Sequence, residues 1–240
     1  MIGKIAEIKM IISKHDFKLL HKKMSTKLSS NVSQKDEIIY FSDTQDHALY
    51  SKDKLLIRMR WRNQGLDVVT KKRDLTKKDI KYIEENYSDL DNHRLKYEID
   101  QVSQDNKTKS CALVHFIEGV HQSFPFKQPA IELLTDAQKK FIHHFTDRKI
   151  KELYYLIPIK SKNYSITLNH KYFTELSICQ WSVPHIYDNK IYEISLKTLS
   201  YNEGTVDAFK DYIKSLDIEI NSNGIFKTDR VYETYFGIDS

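Results

Sequence analysis

Arginine, lysine and carboxylate residues recur at every second position in several segments of this chain. In a β-strand, residues i and i+2 share a face, so this spacing gathers charge on one side of a strand. Arg58 and Arg60 fall together, opposite Ile57, Met59 and Trp61. Arg94, Lys96, Glu98 and Asp100 oppose Leu95, Tyr97 and Ile99; Glu7 and Lys9 oppose Ala6, Ile8 and Met10. Glu193, Ser195 and Lys197 oppose Tyr192, Ile194 and Leu196. Lys72 follows Val68 and Thr70 on a further strand, and Lys160 and Lys162 lie on another, where Tyr164 and Ile166 continue the lysine side. Guanidinium and ammonium groups bind phosphate oxygens through charge-assisted hydrogen bonds. Carboxylates suit a hard divalent cation. An antiparallel sheet with one face in water gives the same alternation. So does a sheet that turns its charged faces inward beneath an outer layer of helices, and alternation does not choose between them.

The elements that must hold these residues follow from periodicity and turn chemistry. Strands are predicted over 5–12, 37–43, 53–62 and 66–73, with Asn63-Gln64-Gly65 as a hairpin turn. Further strands fall at 93–102, 153–162, 163–168, 175–183 and 190–199. Ser13 with Asp16 predicts a helix over 14–27, and Thr76 with Asp79 starts a short one carrying Ile80, Ile83 and Tyr87. Residues 109–122 and 134–150 read as helices separated by a Phe124-Pro125-Phe126 turn, and Thr205 begins another. A short segment, 229–237, closes the chain. Strands joined by short turns favour an antiparallel sheet, hence an α+β fold. No linker or repeat divides the chain, which predicts one domain over 1–240.

Composition narrows the function classes. Of 240 residues, 30% are charged and 40% hydrophobic, which excludes both disorder and an integral membrane protein. No apolar run approaches the roughly 18 residues of a membrane span. Glu7 and Lys9 interrupt the apolar N-terminal stretch, unlike a signal peptide, so a cytoplasmic protein is expected. Cys111 and Cys179 are too few for a disulfide framework or a four-thiolate zinc site. His143 and His144 are adjacent on a predicted helix and point apart, a poor metal site. There is no glycine-rich phosphate loop, so side chains must hold any phosphate. The net charge of +5 is ordinary for this length. RNA recognition is disfavoured, because no aromatic residues interleave with the charges as base stacking requires.

The string YFSDTQDHALYSKDKLLIRMRW resembles the signature of the CYTH, or triphosphate tunnel metalloenzyme, superfamily. Phe41, Asp43 and Thr44 match its Tyr-Phe-Asp-Thr-like strand, and Ile57-Arg58-Met59-Arg60 its Leu-Arg-x-Arg strand. Ile5, Glu7 and Lys9 correspond to the opening Glu-x-Glu-x-Lys, and Thr70 and Lys72 to Thr-x-Lys. Arg94, Glu98 and Asp100 match Arg-x-x-x-Glu-x-Glu; Lys160 and Lys162 are similar to a later basic pair. Tyr192 to Ser195 resembles the late Glu-x-Glu strand, and Lys227 to Tyr232 the closing Lys/Arg-x-Tyr element. The motifs run nearly end to end and in family order.

The resemblance implies an antiparallel eight-stranded β-barrel with helices packed outside and a charged tunnel within. It implies a small-molecule triphosphate or polyphosphate substrate and Mg²⁺ or Mn²⁺, with nucleic acid entering only as a 5′-triphosphate end. Known members hydrolyse inorganic triphosphate, thiamine triphosphate or RNA 5′-triphosphate ends; others cyclise ATP, and a related branch makes polyphosphate. On this pattern Lys9, Arg58, Arg60, Lys72, Arg94, Lys160, Lys162 and Lys227 bind phosphate, with Lys9, Arg58 and Arg60 catalytic. Glu7, Glu98, Asp100 and Glu193 hold the metal. Two positions depart from the pattern: Ile5 stands for the first opening glutamate and Ser195 for the second late one. Triphosphate hydrolysis is the leading expectation. A tunnel that grips polyphosphate or nucleotides without turnover, and a cyclase of the adenylate class, are the alternatives.

Overall fold

The computed structural model describes residues 5–28, 32–62, 64–91, 94–101, 107–120, 128–156, 158–183, 190–198, 203–219 and 225–237. The strands are β1 (Ile5–Ile12), β2 (Ser33–Asp43), β3 (Leu55–Arg62), β4 (Gly65–Lys72), β5 (Leu95–Gln101), β6 (Lys107–Glu118), β7 (Tyr154–Tyr155), β8 (Ile159–Thr167), β9 (Glu175–Ser182) and β10 (Lys190–Thr198). The helices are α1 (Lys14–Lys23), α2 (Ala48–Ser51), α3 (Lys77–Tyr87), α4 (Asp136–Phe145), α5 (Glu203–Ser215) and α6 (Lys227–Phe236). Hydrogen bonding runs in the order β3-β4-β6-β5-β1-β10-β9-β8-β2-β7, and β2 also pairs with β3. Nine strands therefore close on one another as an α+β barrel, with the two-residue β7 appended to β2.

Two features of this topology correct the sequence reading. The barrel is mixed rather than antiparallel, because β1 and β5 run parallel, with Glu7 opposite Asp100. Short turns dictate antiparallel pairing only between consecutive strands, and three strands and three helices separate these two in sequence. The ninth strand is β6, read above as a helix over 109–122. Residues Ser110 to Leu113 are buried without a break, so β6 shows no period-2 alternation there. A strand covered on both faces cannot be told from a buried helix by periodicity alone. The segments 153–162 and 163–168 form β7 and the single strand β8. Asn63 and the Phe124-Pro125-Phe126 turn lie outside the described residues.

The chain forms two compact units, each assembled from separate stretches. The first comprises Met1–Asp36, Glu98–Thr108 and Lys160–Ser240. Its core joins Ile8, Met10 and Ile12 of β1, Leu176 and Ile178 of β9, and Ile194 and Leu196 of β10 to Phe17 and Leu20 of α1, Phe209 and Ile213 of α5, and Leu216 just after it. These are the apolar halves of the alternating strands, so helices cover the side away from Glu7, Lys9 and Glu193. Ser13 caps α1 by accepting from the Asp16 amide at 3.0 Å, as its sequence position predicts.

The second unit comprises Glu37–Tyr97 and Lys109–Ile159. Thr76 with Asp79 and Thr135 with Gln138 form reciprocal capping boxes that start α3 and α4, each cap worth about 1 kcal/mol. Gln138 is buried, and its Nε2 donates to the Val68 and Leu113 carbonyls at 3.0 and 3.2 Å, tying α4 to β4 and β6. Asp43 is also buried. It accepts from the Thr44, Leu49 and Tyr50 amides, and burial pushes its carboxyl up to about 6. Its work is to hold the turn into α2.

Candidate active site

Strand register sorts the charged residues into two faces, one on each unit. Residues directly opposite across a pair share a face. In the first unit, Glu7 lies opposite Lys197 and Asp100, Lys9 opposite Ser195, and Ile11 opposite Glu193. The row continues onto β9, where Glu193 meets Cys179, Ser195 meets Ser177 and Lys197 meets Glu175. Glu98 lies opposite Ile5 on the same side, one turn of the pleat beyond Asp100.

This face is not a solvated one. Asp100 is fully buried, Glu193 is buried, and the Lys9 side chain is only 14% exposed. Lys9 Nζ donates to Glu7 Oε2 at 3.0 Å and lies 2.9 Å from Asp100 Oδ1. Burial alone would depress the Lys9 ammonium, but Asp100, Glu7 and Glu193 outweigh it and hold its pKa well above the ordinary value. Burial would likewise raise Glu7, yet Lys9 carries it below the usual carboxylate value. Lys227, the first residue of α6, reaches back to donate to Glu193 Oε1 at 2.8 Å, with Nζ 4.2 Å from the Trp181 ring centroid. Burial opposes that charge too, but Cys179 and Glu193 raise its pKa.

In the second unit, Arg58 lies opposite Phe41 and Val69, Arg60 opposite Ile39 and Asp67, and Arg62 opposite Gly65. Asp67 is shared, at 2.9 Å from Arg60 Nη2 and 2.7 Å from Arg62 Nε, and Glu37 stands 3.6 Å from Arg60 Nη1. Lys71, opposite Leu56 and Ala112, falls on this same face. It was not among the residues singled out from the sequence.

Several expected phosphate ligands lie elsewhere. Lys72 is opposite Leu55 and Cys111, on the Ile57–Met59–Trp61 side. Its Nζ donates to the Arg73 carbonyl at 2.8 Å and sits 5.9 Å from the Phe145 ring centroid on α4. Lys160 and Lys162 are exposed and alternate with Ser161 and Asn163, so they share a side with Tyr164 and Ile166. Arg94 is exposed, in the turn before β5, its amide donating to Asp91.

Hard carboxylate oxygens are the right donors for Mg²⁺ or Mn²⁺. Glu7 and Asp100, however, both engage Lys9, and Glu193 engages Lys227. Among the described residues, no group of three or more His, Cys, Asp or Glu side chains is arranged to hold a metal ion. As placed, Glu7, Glu98, Asp100 and Glu193 do not fit a resident divalent centre.

No family model matches the chain, and no curated protein matches it in sequence. Solved structures do. A candidate adenylate cyclase from Bacillus halodurans superposes with a TM-score of 0.62 at 12% identity, over 95% of this chain and 96% of that one. An adenylyl cyclase candidate from Hippeastrum, described as having a dominant triphosphatase activity, gives 0.61 at 14% identity, over 96% and 95%. No described helix is long and apolar enough to cross a membrane. This chain therefore shares its fold with these two proteins over nearly the whole length of each.

Proposed function

We propose that the protein hydrolyses a triphosphate compound taken up as its Mg²⁺ or Mn²⁺ complex. The observation that carries this reading is the basic face of β3 and β4, where Arg58, Arg60 and Lys71 share one side. Guanidinium forks and an ammonium at strand spacing suit successive phosphates, and they offset the negative charge of the transferring phosphoryl group. The divalent cation enters as part of the substrate, held chiefly by phosphate oxygens and water, a common state for Mg²⁺. The fold shared with a protein of dominant triphosphatase activity supports the same reading.

Tripolyphosphate, ATP, thiamine triphosphate and triphosphate-ended RNA, each with Mg²⁺ or Mn²⁺, form the screen. Phosphate release from at least one is expected, and product chromatography separates hydrolysis from cyclisation of ATP. A folded protein inert towards all four is not a triphosphatase. A second reading, binding without turnover, is favoured by the ion pairs that engage Glu7, Asp100 and Glu193. Calorimetric binding of tripolyphosphate with no hydrolysis would establish it.

A further inference from the structure

Phe116 is 39% exposed on β6, as Tyr154 is at 45% on β7, whereas Tyr40, Phe41, Trp61, Trp181 and Tyr192 of the barrel strands are buried. Read as part of a helix, it has no relation to the charged residues. As a strand residue it stands opposite Asp67, and Asp67 stands opposite Arg60, so the three form one row across β6, β4 and β3. The next position along β4 and β3 pairs Gly65 with Arg62. A Cβ added at Gly65 would lie 2.9 Å from Phe116 Cζ, so the ring rests on bare backbone at that point. Around it, Arg60 and Arg62 share Asp67, and Glu37 lies within 3.6 Å of Arg60.

An apolar ring at the margin of a basic face serves nothing in binding inorganic triphosphate, which is charged throughout. A planar heterocycle uses every part of this arrangement. Its face stacks on Phe116, as bases do on aromatic side chains. An exocyclic amine donates to the Asp67 or Glu37 carboxylate, groups that only accept when ionised. The guanidinium of Arg62 offers a second flat surface.

We propose that Phe116, with the Arg60–Asp67–Arg62–Glu37 network beside it, seats the amino-bearing base of a nucleoside triphosphate. This rests on the triphosphate reading above and narrows it to a substrate class. Adenosine 5′-(β,γ-methylene)triphosphate and tripolyphosphate, each with Mg²⁺, are titrated calorimetrically into the wild-type chain, Phe116→Ala and Phe116→Tyr. Phe116→Ala should weaken the nucleotide analogue about tenfold and leave tripolyphosphate within about twofold, while Phe116→Tyr, which keeps the ring, should bind both as the wild type does. Equal losses for the two ligands, no loss for the analogue, or wild-type binding of tripolyphosphate alone would overturn the assignment and leave the triphosphate reading intact. Failure of the wild type to bind either ligand removes both.

Discussion

The two charged faces are built from the same alternation and wired differently. On the first unit the positive groups are lysines, and the two buried ones are caged, Lys9 by Glu7 and Asp100 and Lys227 by Glu193, while the half-exposed Lys197 pairs with Glu175. On the second they are chiefly arginines, and the buried Asp67 spans the largely covered Arg60 and the more exposed Arg62. An ammonium is a compact charge that a few carboxylates can surround; a guanidinium is a planar fork that shares partners and changes them readily. Removing a caged lysine strands buried carboxylates, whereas Asp67 divides its charge between two guanidinium groups and keeps one when the other leaves. The first face is thus part of what holds its unit together, and the second can give its partners up to a ligand.

The largest effect that tests this contrast is on stability. Lys9→Met removes the ammonium that Glu7 and the fully buried Asp100 share, which should cost about 3–5 kcal/mol. Arg60→Met leaves Asp67 and Glu37 with Arg62 and should cost clearly less than Lys9→Met, because a guanidinium still compensates both carboxylates. Urea denaturation measures both. Pairing Lys9→Met with Asp100→Asn should recover part of the loss. The acid limb moves as well. Lys9 holds Glu7 below its ordinary 4.5, so the stability Glu7 contributes is present above that pH and lost as pH falls through the folded value. Lys9→Met should flatten that limb, and equal costs for the two single variants would abolish the contrast.

A smaller effect concerns which lysine of β4 belongs to the basic face. Lys71→Ala should weaken tripolyphosphate binding about tenfold, in line with loss of a hydrogen bond to a charged group. Lys72→Ala should change it less than about twofold, since that side chain lies on the α4 side against Phe145. Calorimetry at one fixed salt concentration reads both, and the reverse order of effects would place Lys72 on the ligand side.

That reversal from the motif match was readable in the sequence. With Asn63 and Gln64 between β3 and β4, Arg62 pairs with Gly65, and every even position of β3 then meets an odd position of β4. Arg58 and Arg60 must therefore share a face with Val69 and Lys71. The motif alone, Thr70-x-Lys72, gave the opposite parity. Glu7, Lys9 and Glu193 were legible for the converse reason: Ile8, Met10 and Ile194 are buried beneath helices, so a period of 2 survives intact. β6 was not, because burial on both faces erases the alternation, and with it went the place of Phe116. Nor was the cage around Lys9 visible, since it depends on β5 lying parallel to β1 across a long stretch of chain. Lys227 illustrates a further limit: its pairing with Glu193 joins a helix start to a strand 34 residues away, which no local pattern encodes.

The smallest effect belongs to residues on neither charged face. Lys160 and Lys162 are exposed and alternate with the buried Ser161, on the side carrying Tyr164 and Ile166. Their ammonium groups meet water, so replacing both by alanine should change stability by no more than about 0.5 kcal/mol. Any influence on a bound triphosphate is long-range and screened over about 8 Å at physiological salt. The double variant should therefore bind tripolyphosphate as the wild type does at 0.15 M salt, with a modest loss emerging only as salt is lowered. A loss that persists unchanged at high salt would mean that these lysines touch the ligand, and the parity that assigns them to the helix-covered side would be wrong.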